Sequence, residues 1–267
     1  MLLNDAYQGR LRPWLECIPD CCPVFINVET TGVQTDDILS AVSMLPACAD
    51  NPIFMPFTMS DSWVDKALRF LFIDKAQYDS LCVSEEGVKE MLRSLANGTN
   101  LPILPLTYNA PFQNKFLARR ELVSDLVAEA LWFPMLDVTR LCWCADNGRA
   151  GHIRDIQHLA HEVESRSYRQ KGVGYKDLMP KKGVTLPDPL VPWEKPRLVK
   201  ETLLRQANDS GSEPLPIEDL FNLPALDPER WNTVCAQDHI QTRTSIPVTK
   251  ETQKDGIDCW LHPARSS

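Results

Sequence analysis

VFINVETTGV, residues 24–33, decides how the rest of the chain is read. Val24–Val28 is short, apolar and β-branched, which predicts a buried strand. The end of that strand carries an amide, Asn27, and a carboxylate, Glu29, and then meets Thr30-Thr31-Gly32. Strand side chains alternate between faces, so Asn27 and Glu29 point the same way. Two carboxylates placed like this would make a metal site. This chain keeps only the second of them.

Working outward, Ile38–Leu45 and Ile53–Phe57 read as second and third strands. Ser84–Ala96 reads as a helix, with Ser84 as N-cap, acids in the first turn and an apolar stripe of Val88, Met91, Leu92 and Leu95. Leu101–Tyr108 reads as a fourth strand, and its prolines place it near an edge or a bulge. A helix is predicted from about Phe112 to Leu131, a strand passing into a helix over Phe133–Cys142, and an amphipathic helix over His152–Val163. This order predicts an α/β fold, a mixed sheet flanked by helices.

After Val163 the texture changes. Residues 166–182 hold six basic residues and one acid, and residues 183–226 form a Pro-rich, mostly irregular insertion with one helix near Trp193–Gln206. Asp227–Arg243 reads as a helix, with Asp227 as N-cap and Pro228 at its first position. The expected organisation is a lead-in over 1–22, a main domain over 23–245 and a loose tail over 246–267. No internal repeat is visible.

The 267-residue chain has 43% apolar and 24% charged residues, enough for a substantial core. Its net charge of -8 argues against nucleic-acid binding through the whole surface, so any such contact must be local, metal-assisted or shared with a partner. Nine cysteines without a CxxC pair read as reduced thiols in a cytoplasmic or other reducing compartment. A zinc site drawn from Cys142, Cys144, His152, His158 and His161 is a weaker alternative, because the spacing is poor. No opening signal peptide and no membrane-length apolar run is present, so no membrane role is expected.

VFINVETTG resembles the first motif of the DEDD-superfamily 3′–5′ exonucleases, whose usual form is Asp-x-Glu-Thr-Thr/Ser-Gly. YNAPFQNKFL, residues 108–117, resembles the second, usually His/Tyr-Asn-Ala-x-Phe-Asp-x-x-Phe/Leu, and MLDVTRL, residues 135–141, the strand that follows it. His152–Val163 and then Gly174–Leu178 look like the helix and loop before the third motif in proofreading exonuclease domains of family A DNA polymerases. VCAQDHIQT, residues 234–242, is similar to that third motif, Tyr-x-x-x-Asp, in its Tyr-Cys-Ala-Gln-Asp form. The likeness spans about residues 23–245 and implies a ribonuclease H-like fold.

In that family four carboxylates hold two divalent ions, Mg2+ or Mn2+, that activate water and stabilise the leaving 3′ oxygen. Carried over residue by residue, the resemblance retains Glu29 and Asp238 as ligands, replaces aspartates by Asn27 and Gln113, and replaces the tyrosine by Val234. One unit-charge pair at contact is worth roughly 4 kcal/mol at an effective dielectric of about 20. Two lost carboxylates therefore abolish the second metal and leave the first weak, held by Glu29 and Asp238 if at all. Amides keep hydrogen-bonding capacity without mutual repulsion. Asp238 shares a helical stripe with Trp231, Val234 and Cys235, pointing inward. His239, a candidate replacement base, lies off that stripe, and Asp137 reads as orienting a strand end.

The expectation is a degenerate exonuclease-like domain with little or no nuclease activity. It would bind single-stranded nucleic acid or a 3′ end, or assist a DNA polymerase or other replication protein. Thr30, Thr31 and Asn109 would line the end pocket, and Arg166, Arg169, Lys171, Lys176, Lys181 and Lys182 would contact phosphates. Two alternatives stay open. One is an active metal-dependent exonuclease with an altered or mutated ligand set. The other is a structural or interaction protein with no nucleic-acid role. Without activity, no cofactor is expected.

Overall fold

In the computed structural model the described residues are 21–32, 34, 37–47, 49, 51–99, 101–129, 131, 132, 135–139, 142 and 175–207. Strand β1, Cys22–Thr30, is buried along its whole length. A strand covered on both faces carries apolar residues continuously, and Val24–Val28 does so apart from Asn27. Strand β2, Leu39–Pro46, pairs antiparallel with β1, and β3, Ile53–Pro56, pairs antiparallel with β2. Strand β4, Ile103–Thr107, lies parallel to β1 on its other side, followed by the two-residue β5, Leu136–Asp137. Among the described residues the sheet is thus mixed, with order β3-β2-β1-β4-β5 and β1 in the middle.

Strand β4 lies between β1 and the short edge strand β5, next to the edge as its prolines lead one to expect. The ladder makes room for its proline. The Ile103 N–H donates to Leu131 O, on the β5 side, and alternation turns the Pro105 nitrogen to that same side. There β4 meets Trp132 opposite Ile103 and then Leu136 opposite Leu106, so Pro105 falls in the gap where no donor is needed.

Two helices absent from the sequence reading fill the stretch after β3. Helix α1, Asp61–Leu71, buries Val64, Ala67 and Leu71, and α2, Lys75–Leu81, buries Tyr78 and Leu81. Asp74 and Gln77 form a capping box that starts α2, each side chain bonding the other's backbone N–H. Val64, Ala67, Leu71, Tyr78 and Leu81 pack with Ala41, Phe54, Ile73 and Trp193 in a second, smaller core. Helix α3, Glu85–Thr99, starts where expected: Ser84 Oγ accepts the Gly87 N–H at 3.1 Å, and Val88, Met91, Leu92 and Leu95 enter the main core.

The long helix expected over 112–131 is two, α4, Ala110–Arg119, and α5, Ser124–Ala128. Glu121 sits between them with φ 53°, a left-handed turn that ends the first helix. Gly174–Leu178, expected as a loop, mostly enters helix α6, Tyr175–Lys181. The helix expected near Trp193–Gln206 is present. A 3-10 turn, Pro192–Glu194, leads into α7, Lys195–Ala207, with Pro192 in the starting position where a missing N–H costs little. Far from being peripheral, α7 puts Leu198, Val199, Leu203 and Leu204 into the main core.

Candidate functional site

The ladder between β1 and β4 stops at Phe25 opposite Leu106, three residues short of Val28. The Val28 N–H beyond it is taken by a side chain: Gln113 Oε1, from the first turn of α4, accepts it at 2.6 Å. Gln113 Nε2 donates to Asn27 Oδ1 and to Tyr108 O, both at 3.3 Å. Asn27 Nδ2 in turn donates to Glu29 Oε1 at 2.6 Å, the same-face pairing that strand alternation requires. The register between β1 and β2 shifts between Glu29 and Thr30, so the strand bends just past the carboxylate. Asn27, Glu29 and Gln113, three positions singled out by the sequence, converge at the carboxyl end of β1, and each is 3% exposed. They form a buried network and not the wall of an open cleft.

The fourth member was not foreseen. Lys195 Nζ donates to Glu29 Oε1 at 2.5 Å, with the two side chains 6% and 3% exposed. Glu29 and Lys195 cancel as a pair, and the two amides link that pair to the β1 backbone. Removing either partner of such a pair leaves an uncompensated buried charge. Lys195 opens α7, where the positive end of the helix dipole disfavours a cation, so the Glu29 carboxylate is what holds this buried lysine in place. Ser43 stands opposite Asn27 in the register, is fully buried, and its hydroxyl makes no hydrogen bond among the described residues.

Thr30 and Thr31 serve the turn after β1. Thr30 Oγ1 donates to Gly32 O at 2.5 Å, and Thr31 Oγ1 donates to Asp37 Oδ1 at 3.1 Å while accepting the Ile38 N–H. Asp37 also accepts from Gln34 N and from Lys66 Nζ. Burial works to raise the Asp37 carboxyl, but the Lys66 ammonium and the Gln34 and Thr31 donors together outweigh it and hold it below its ordinary value. Gly32 is required by contact, since a Cβ there would lie 2.3 Å from Asp37 Oδ2.

Asn109 is exposed at φ 61°, a left-handed conformation that Asn tolerates, and its carbonyl accepts the Phe112 and Gln113 N–H groups. It turns β4 into α4 and so delivers Gln113. Asp137 accepts the Ala110 and Thr139 N–H groups, which fixes the start of the same helix, in keeping with the expected orienting role. Burial, with the Asp137 and Asp177 charges behind it, pushes the Tyr108 phenol well up. On α6 Lys176 and Lys181 are exposed, and Lys182 just beyond is half-buried. Arg166, Arg169, Lys171, Val234 and Asp238 lie outside the described residues, as do His239, Cys144, His152, His158 and His161, while Cys142 is buried in the main core.

Divalent Mg2+ or Mn2+ requires several oxygens with lone pairs free to point at it. Here the ammonium and the Asn27 amide occupy one Glu29 oxygen, and the Gln113 carbonyl is spent on the backbone. The described donors, so arranged, do not fit a pair of divalent ions. No helix among the described residues is long and apolar enough to cross a membrane, and Cys21, Cys22, Cys82 and Cys142 are in no disulfide. No protein-family model and no curated protein matches this chain.

Proposed function

We propose that this chain is a degenerate 3′–5′ exonuclease-like domain of ribonuclease H-like fold, with little or no nuclease activity. It binds a nucleic-acid 3′ end or serves a DNA polymerase or other replication partner. The observation that carries this reading is the neutral, buried network of Asn27, Glu29, Gln113 and Lys195 at the carboxyl end of the central strand. Ligand sites of open α/β sheets sit at such strand ends, and Asn27, Glu29 and Gln113 gather there. The mixed sheet, in which β2 alone is reversed among the described strands, supports the fold assignment. Catalysis of strand cleavage by two metals needs carboxylates that hold the ions and a group that places the water. This chain spends its retained Glu29 on a lysine and carries Val234 in place of the tyrosine.

The test is an assay of end-labelled single-stranded DNA and RNA with Mg2+ or Mn2+, with binding measured in parallel. The expected result is binding without shortening from the 3′ end. Cleavage that disappears in Glu29→Gln would promote the active-exonuclease reading. A chain that neither cleaves nor binds would promote an interaction role without nucleic acid.

A further inference from the structure

We propose that one face of helix α1 is a stacking platform for single-stranded nucleic acid, with Trp63 and Phe70 taking bases and Lys66 and Arg69 taking the phosphates. This deepens the reading above and rests on its strand-binding arm, since it names a surface that holds the strand. Residues seven apart stand almost one above the other on a helix, two turns or roughly 10 Å apart, so each ring takes its own base. Trp63 and Phe70 are so placed and half-buried, and among the described residues neither ring joins either core. Going round α1 from the rings, the charged residues come in the order Lys66, Arg69, Asp65, Asp61, so the cations stand between the rings and the acids. Lys66 Nζ is 5.0 Å from the centroid of the Trp63 ring, and that side chain is 45% exposed. Arg69 is exposed, and its guanidinium makes no ion pair among the described residues. Lys66 Nζ also donates to Asp37 Oδ1 at 2.6 Å, and Asp37 accepts from Thr31, so this face borders the turn that follows the central strand. In a chain of net charge -8, a face on which two cations flank two aromatic rings is a local exception. A duplex hides its base faces, and a purely apolar partner would leave both cations desolvated and unpaired. A single strand satisfies rings and cations together, and the stacking tolerates any sequence because every base has a π face.

The experiment is binding of labelled oligo(dT), and of an abasic strand of equal length, to the full chain without divalent ions. The variants are Trp63→Leu and Phe70→Leu, which keep apolar bulk but drop the π face, Trp63→Phe, which keeps a ring, and Arg69→Gln. The expected result is a loss of about tenfold in oligo(dT) affinity in each leucine variant, with most of it restored in Trp63→Phe. The abasic strand should bind the parent weakly and the leucine variants equally so. Arg69→Gln should flatten the dependence of affinity on salt by about one phosphate contact, and it decides the matter should a leucine variant fail to fold. Undiminished oligo(dT) binding in either leucine variant would overturn the platform, leave strand binding itself standing and leave this face to a protein partner. An equal loss on the abasic strand would overturn it too, because the loss would not be stacking. A parent that binds neither strand sinks this proposal together with the strand-binding reading. A parent that shortens strands once Mg2+ is added sinks the reading of lost activity alone, and the leucine variants still decide the platform.

Discussion

At the residue scale, Glu29 and Lys195 form one unit. Each is buried, and neither could remain so alone without exposing its partner to an uncompensated desolvation penalty. Lys195→Ala is expected to cost about 3–5 kcal/mol in urea unfolding, because the charge on Glu29 is left behind. Changing both to apolar residues, Lys195→Met with Glu29→Leu, should cost distinctly less than the sum of the single changes. A cycle in which the two losses add would mean that the pair is not coupled. The alternation of β1 made Asn27 and Glu29 legible as a same-face pair, and a motif resemblance supplied Gln113. Lys195 was not legible, since it lies 166 positions from Glu29 and reaches it only through the packing of α7 on the sheet.

A second residue-scale prediction concerns Asp37, whose carboxyl is held below its ordinary value. A depressed carboxyl contributes stability that is present above the unfolded value, about 3.9, and is lost as pH falls through the lower folded value. Asp37→Asn should therefore be less stable than the parent near neutrality, and the two should converge in acid. Unfolding midpoints measured across that range check this, and a constant gap down to the lowest pH would contradict it.

At the scale of elements, signals written locally were readable and those set by tertiary context were not. The Ser84 cap and the stripe of α3 are local, and they matched. Val64, Ala67 and Leu71 carry helical spacing, and the Asp74–Gln77 box is a second local signal, so both helices are legible in the sequence. The break between α4 and α5 is different in kind. It turns on Glu121 in a left-handed conformation, which no residue type there announces. The Pro-rich texture after residue 182 hid the weight that α7 bears: Leu203 is fully buried in the main core. Leu203→Ala should destabilise by about 2–5 kcal/mol, as for other core leucines. A change near zero, measured by denaturant unfolding, would mean that α7 packs on the sheet without supporting it.

At the scale of the whole molecule, a net charge of -8 opposes tight binding to a polyanion, so the proposed strand binding would have to lean on local cations. Lys176 and Lys181 are exposed on α6, the helix whose Asp177 charge acts on Tyr108. Exchanging Lys171, Lys176, Lys181 and Lys182 for Glu should abolish single-strand binding and its salt dependence while leaving the unfolding midpoint nearly unchanged. Undiminished binding at low salt would remove this segment from any strand contact.

The central claim is that an ammonium, and not a divalent ion, neutralises the carboxylate at the end of β1. The most direct measurement is anomalous diffraction from crystals of the full chain soaked in Mn2+. The account predicts no anomalous peak beside Glu29, with Lys195 Nζ in hydrogen-bond contact with its carboxylate. A Mn2+ peak at Glu29, with Lys195 swung away, would contradict it.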